Sequence, residues 1–171
     1  AASVCQDSDR IAEIATASGA DPEALQAVAA LVSIPFLQAC HRRWGSSVST
    51  AWAKGYCPVC GSWPAFAELR GIERSRHLRC GRCGGAWHAE ILHCAFCENR
   101  DHDDLATLSP EKPGSAGSVD ACGRCRGYVK VFTRLQGCPP AQVILEDLRS
   151  VDLDVAALEQ GYSRRAGAGG P

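Results

Sequence analysis

The chain has no methionine, and only 6% of its 171 residues are aromatic. Bulky side chains are therefore scarce, although apolar residues of all kinds reach 46%. A segment that is short of bulky groups and smaller than about 80 residues needs a staple, a metal or disulfides, beside its hydrophobic burial. Net charge is also nearly absent, at −1. Nothing in that balance asks for a polyanionic partner or a membrane surface. No apolar run approaches the ~20 residues of a spanning helix, so membrane insertion is not expected. Ala1 to Arg10 is polar and lacks the basic-then-apolar order of an export signal. There is no P-loop, dinucleotide glycine motif or serine elbow, and no Cys-x-x-Cys pair is followed by the His of a haem site. A thioredoxin-type role for a cysteine pair would need a βαβ context, which is missing.

Cysteine is what the chain has in excess, with eleven. Eight fall as the pairs Cys57/Cys60, Cys80/Cys83, Cys94/Cys97 and Cys122/Cys125. Disulfide scaffolds have no reason to repeat one two-residue gap four times. Tetrahedral metal sites do, because a knuckle turn points both thiolates of a Cys-x-x-Cys at one ion. Read in order, Cys57, Cys60, Cys80 and Cys83 form one site and Cys94, Cys97, Cys122 and Cys125 a second. The 19 residues 61–79 suit one hairpin returning to the first ion, and the 24 residues 98–121 lie between the knuckles of the second. An interleaved pairing, with the first and third knuckles sharing an ion, is the alternative, and it costs more loop entropy. Four thiolates leave no open position for a catalytic water, so the sites should be structural or, with iron, at most redox-active. Zinc and a single iron fit such a site with similar ease, whereas [4Fe–4S] clusters typically draw on closer runs. Metal thiolates also suit a reducing compartment, hence the cytoplasm.

Cys5, Cys40 and Cys138 stand alone and are expected to be small buried groups, Cys40 in the core and Cys138 open to exposure in a loop before Pro139. His41, His77, His88, His93 and His102 are expected to pack or face solvent, although His93 directly precedes Cys94 and a mixed site is conceivable. The run Arg70, Arg74, Arg76, Arg79 and Arg82 invites a nucleic-acid reading, with Arg74 and Arg76 on one strand surface. Neutral charge and sparse aromatics argue against that partner.

Composition divides the chain into an Ala-rich helical region at 1–55, a first four-cysteine ribbon at 56–90, a second at 91–136, and C-terminal helices with a tail at 137–171. Ser8 or Asp9 should cap a helix carrying Ile11, Ile14 and Ala15 and ended by Gly19. Asp21-Pro22 should start another with Leu25, Val28, Ala29 and Val32 on one face, broken near Pro35. Strands are expected at Ala65 to Leu69, Ser75 to Cys80, Ala86 to His93, Asp104 to Leu108 and Tyr128 to Leu135. Ser109 to Ser118 reads as a mobile loop and Arg165 to Pro171 as a disordered tail. Val143, Ile144, Leu145 and Leu148 fit one C-terminal helix. Asp152 should cap another carrying Val155, Ala156 and Leu158, stopped by Gly161.

The motif order resembles the formate dehydrogenase accessory proteins, the FdhE family. The resemblance rests on Cys57-Pro58-Val59-Cys60-Gly61-Ser62 with Pro64, Leu78-Arg79-Cys80 with Cys83, and Trp87-His88. It continues through Cys94/Cys97, Cys122/Cys125, Tyr128-x-Lys130, Asp147-Leu148, Leu153-Asp154 and Gly161-Tyr162. It departs where Ile91 stands near an expected Arg, and in an N-terminal helical part shorter than is usual in the family. The resemblance implies an α+β fold of two consecutive rubredoxin-like or zinc-ribbon-like modules packed with N- and C-terminal helices. It implies a cytoplasmic, non-catalytic assembly factor that binds the catalytic subunit of formate dehydrogenase and carries two metal ions, iron or zinc. A homodimer is a further partner state. A rubredoxin-like redox protein with tetrathiolate iron and a zinc-ribbon nucleic-acid binder are the alternatives.

Overall fold

The computed structural model describes residues 1–109, 117–165 and 167. Four helices lead the chain: α1 (Ala2–Cys5), α2 (Ser8–Ser18), α3 (Pro22–Val32) and α4 (Ile34–Trp44). Asp7, one residue ahead of the expected cap, accepts the Arg10 N–H at the start of α2, and Gly19 closes it in the left-handed conformation. Asp21 caps α3 as expected, with Pro22 in its first turn. The break falls at Ser33, and Pro35 sits in the first turn of α4, where its missing N–H costs nothing.

The expected core face of α3 is not buried: Val28 is 54% and Val32 is 68% exposed. Ile11 and Ala15 of α2 and Leu37 of α4 are buried instead, and Ile14 is exposed. Periodicity marks an apolar face but does not say whether anything covers it. Taken together, Pro22–Ser47 spans 26 residues with a mean hydropathy of 1.4 in its most apolar window, long and apolar enough to cross a membrane by length and composition alone. That corrects the expectation that no such stretch exists. The Ser33 hydroxyl at its centre accepts a 2.8 Å hydrogen bond from Arg82, and Leu37 packs against the first cysteine cluster. The middle of the stretch is thereby held on the ribbon.

The strands are β1 (Pro64–Arg70), β2 (Ser75–Cys80), β3 (Ala86–His88), β4 (Leu105–Leu108), β5 (Gly117–Cys122) and β6 (Tyr128–Arg134). They form one sheet in the order β3-β2-β1-β6-β5-β4. Every pairing is antiparallel except β1 with β6, where the two ribbons join in parallel, Phe66 opposite Lys130 through Arg70 opposite Arg134. β3 is shorter than expected: after the Ala89 N–H pairs with Arg76 O, the chain turns away through Leu92 at φ 53°. β5 was not expected. Its Val119 and Ala121 are buried and alternate with Asp120, so the last residues of the supposed loop, Gly117 and Ser118, already belong to the sheet. The rest of that loop, residues 110–116, and most of the expected tail, residues 166 and 168–171, lie outside the described residues.

Two cores follow from the pleat. Ala67, Leu78, Val129 and Val131 line one face with Leu37, Trp87 and Ala95. Phe66, Val119, Tyr128 and Phe132 line the other, beneath Val143 of α5 (Val143–Arg149) and Leu153 and Ala157 of α6 (Val151–Glu159). Leu145, Leu148, Val155 and Leu158, expected on the packed faces of these helices, are exposed. Ser150, not Asp152, precedes α6, and Asp152 lies in its first turn. The molecule is an α+β fold of two ribbon-like modules with helices at both ends.

Candidate metal centres

The four cysteine pairs occupy four copies of one turn. In each, the N–H of the residue after the second cysteine donates to the carbonyl of the first: Gly61 to Cys57, Gly84 to Cys80, Glu98 to Cys94 and Arg126 to Cys122. These four residues all have positive φ, from 57° at Arg126 to 74° at Gly84. Glycine takes that region freely, and the first ribbon uses it twice. The second ribbon holds Glu98 and Arg126 there, at a cost of about 1–2 kcal/mol each.

The fold groups the pairs in chain order. Cys57, Cys60, Cys80 and Cys83 have their sulfurs within 4.8 Å of one another, and so do Cys94, Cys97, Cys122 and Cys125. The interleaved grouping is not formed. The closest contacts across each cluster are Cys60 to Cys80 at 3.4 Å, Cys57 to Cys83 at 3.5 Å, Cys94 to Cys125 at 3.6 Å and Cys97 to Cys122 at 3.8 Å. A tetrahedral ion with metal–sulfur bonds of about 2.3 Å sets its sulfurs about 3.8 Å apart, so both clusters fit one ion. They do not fit disulfides, whose sulfurs lie about 2 Å apart.

The first cluster is the deeper. Cys57, Cys80 and Cys83 are buried, whereas Cys97 and Cys125 of the second are half-buried. Hydrogen bonds among the sulfurs push the Cys57 thiol up and hold Cys60 down. In the second cluster burial acts to raise Cys122, but the Cys125 N–H and the Asn99 amide outweigh it and bring that thiol down to about 7. A thiolate already favoured near neutral pH loses few protons on taking a cation. His93 is not part of the cluster beside it, and no histidine joins either group among the described residues.

One arginine at the closing knuckle of each ribbon holds a terminal segment. Arg82, between Cys80 and Cys83, donates to the carbonyls of Ser3 at 2.7 Å and Val4 at 3.0 Å and to Ser33 Oγ at 2.8 Å. Arg126, after Cys125, donates to Gly161 O at 3.2 Å and Gln160 O at 2.6 Å, and its guanidinium lies 4.2 Å from the Tyr162 ring centre. Neither role has a sequence signal. Three others of the basic run are also used internally: Arg70 and Arg79 on Glu68, and Arg76 on Asp120. Arg76 is buried while Arg74 sits exposed in the β1–β2 turn, so the two do not share an open strand surface.

Among the unpaired cysteines, Cys138 is buried rather than open. Its N–H donates to Glu68 Oε1 at 2.9 Å and its carbonyl accepts from Arg79 at 2.8 Å. Cys5 is exposed and Cys40 half-buried, against the expectation of core.

Four of the motif residues beyond the knuckles, Tyr128, Lys130, Asp147 and Asp154, converge on one network. Lys130 is fully buried, and its Nζ lies 2.7 Å from an Asp147 carboxylate oxygen and 2.8 Å from Asp154 Oδ2. Tyr128 donates to Asp154 Oδ1 at 2.7 Å, and Arg164 closes the group on both aspartates. These charges tie α5 and α6 to β6. Each is satisfied within the fold.

Comparison with known proteins agrees with these motifs. A family model described as the FdhE C-terminal domain matches residues 92–168. Proteins named Protein FdhE from Salmonella choleraesuis strain SC-B67 and Salmonella paratyphi B are 32% identical over 114 residues, covering 66% of this chain and 36% of each relative. The chain thus spans about a third of the length of these curated relatives. The crystal structure of the FdhE protein from Pseudomonas aeruginosa matches with a TM-score of 0.60 and 31% identity, over 78% of this chain and 47% of that one. In motif order, in sequence identity and in fold, the chain is FdhE-like.

Proposed function

We propose that this chain is a non-catalytic accessory factor in the maturation of formate dehydrogenase, binding the catalytic subunit of that enzyme in the cytoplasm. The observation that carries the reading is the pair of closed four-cysteine clusters set in an FdhE-like fold. Cys57, Cys60, Cys80 and Cys83 would hold one ion, and Cys94, Cys97, Cys122 and Cys125 a second. A four-thiolate ion, iron or zinc, supplies structural cross-linking and leaves no position for a substrate. The buried Lys130, Asp147 and Asp154 network is likewise closed, so no group poised for chemistry remains there. The chain's own residues then do two things: the knuckles fix the ends of the strands, and Arg82 and Arg126 hold the terminal segments on them. What is left to the surface is recognition.

Affinity purification of the tagged chain from cells making formate dehydrogenase tests this. Recovery of the catalytic subunit, with loss of formate dehydrogenase activity in a strain lacking the chain, is expected. Normal enzyme activity in that strain would refute the reading.

A further inference from the structure

The two ribbons are copies of one unit. Knuckle, strand, strand, knuckle and third strand recur, so β4, β5 and β6 correspond to β1, β2 and β3. The matching bonds recur too: Cys57 N–H to Ser62 O beside Cys94 N–H to Asn99 O, and Cys80 N–H to Gly85 O beside Cys122 N–H to Gly127 O. In the first copy the outer edge of the first strand is filled, because β1 receives β6 in parallel along Phe66 to Arg70. In the second copy the equivalent strand is β4, and it ends the sheet with no pairing on its outer side among the described residues.

β4 reads Leu-Ala-Thr-Leu and carries none of the charges, prolines or bulges that usually blunt a free edge. Ala106 and Thr107, which point to opposite faces, are both exposed. A cavity of about 210 Å³ lies over one face of the sheet, from Leu69 of β1 across Val129 of β6 to Leu105 and Thr107 of β4, beside Ile91 and Leu92 of the preceding loop, with the Arg76–Asp120 ion pair also in its lining. Ile91 and Leu92 remain 56% and 67% exposed, and Leu92 holds a left-handed backbone while doing so.

We infer that the outer edge of β4 takes an extended peptide segment of a partner protein, paired in parallel, with apolar side chains at alternate positions reaching the Leu105, Ile91 and Leu92 surface. An edge strand supplies main-chain hydrogen bonds, and an adjoining apolar cavity supplies side-chain selection. The parallel sense follows from the internal precedent at β1 and β6. The inference rests on the proposed function in taking the partner to be the catalytic subunit of formate dehydrogenase.

The test uses the whole chain, loaded with zinc, and 15-residue synthetic peptides tiling that subunit. At least one peptide should bind and slow amide exchange in Leu105–Leu108. The double variant A106K/T107K, at two exposed positions, should weaken that peptide at least tenfold with its metal content unchanged. Binding of the intact subunit but of no peptide would overturn the edge site and leave the proposed function standing. Binding of neither would overturn both. Peptide binding without protection of β4, or β4 protection in a self-associated form of the chain alone, would also overturn it. Exchange on the unaltered protein decides the matter should the double variant not fold.

Discussion

Replacing Gly84 by alanine should cost about two to four times what the same change costs at Gly61. The two residues close the two knuckles of the first cluster and share a conformation, with φ of 70° at Gly61 and 74° at Gly84. The left-handed backbone therefore penalises an added β-carbon equally at both, by about 1–2 kcal/mol. A stiffer unfolded chain returns about 0.4–1 kcal/mol of that. The surroundings differ. A β-carbon on Gly61 meets nothing within 4 Å, whereas one on Gly84 would lie 2.7 Å from both Cβ and O of Pro140. The carbonyl is backbone and cannot swing aside, so overpacking adds about 1–3 kcal/mol. The expected losses are about 1 kcal/mol for Gly61→Ala and about 2–4 kcal/mol for Gly84→Ala. With a urea m-value of about 2 kcal/mol/M, the midpoints fall by about 0.5 M and about 1–2 M. Free zinc must be held constant across the series, because ligand concentration adds to apparent stability. Equal losses would show that the contact between Pro140 and the knuckle is not tight and would refute the packing argument.

Glu68→Gln leaves the buried Arg79 without its counter-charge and should cost about 3–5 kcal/mol at pH 7. Burial acts to raise the Glu68 carboxyl, but the Cys138 N–H and the Arg70 and Arg79 guanidiniums outweigh it and hold it below the usual range. Its contribution is thus complete above the unfolded value of about 4.3 and is lost as pH falls through the folded value, so urea midpoints of the two proteins should converge in acid. Cys57→Ser should remove one of two bound ions and leave the Cys94, Cys97, Cys122 and Cys125 site loaded, as elemental analysis per chain will read; loss of both would mean the clusters are not independent. Arg82→Met should keep both ions yet speed amide exchange in α2 and α3 at least tenfold, since its bonds to Ser3, Val4 and Ser33 hold the leading helices. Unchanged exchange would show that other contacts dock them.

The cluster grouping was legible because it is local. A Cys-x-x-Cys states its own turn, and an interleaved pairing of the knuckles costs more loop entropy than closing them in chain order. Ser75–Cys80 was legible for a related reason, since a hairpin between two knuckles has little freedom. β5 was hidden by its neighbours. Gly117 and Ser118 continue the small, polar run before them, and only the alternation of Val119, Asp120 and Ala121 betrays a strand. The parallel joint of β1 and β6 could not be read at all, because it pairs residues more than sixty positions apart through backbone groups that every residue has. Helix faces failed in the opposite way. Val28, Val32, Leu145 and Leu148 have the right spacing for a core, but among the described residues no element covers them. Glu68 and Lys130 were invisible as buried charges because composition expects them outside.

That joint decides where the two cysteine clusters lie. β1 and β6 run in the same direction, and each begins just beyond a knuckle, at Pro64 after Cys60 and at Tyr128 after Cys125. β2 and β5 run the other way and each ends on a ligand position, Cys80 and Cys122. All four knuckles are therefore gathered at one end of the sheet, and the arginines that hold the terminal segments project from that end. An ion in either cluster would fix knuckle, strand end and clamp together. Electrostatics alone would hold Arg82 on carbonyl oxygens only weakly in water, but a knuckle closed on a metal presents it in one geometry, so little side-chain entropy is left to lose. Closed sites of this kind add order without reactivity. The outer edge of β4, unpaired among the described residues, belongs to the same sheet, so it shares one framework with both clusters.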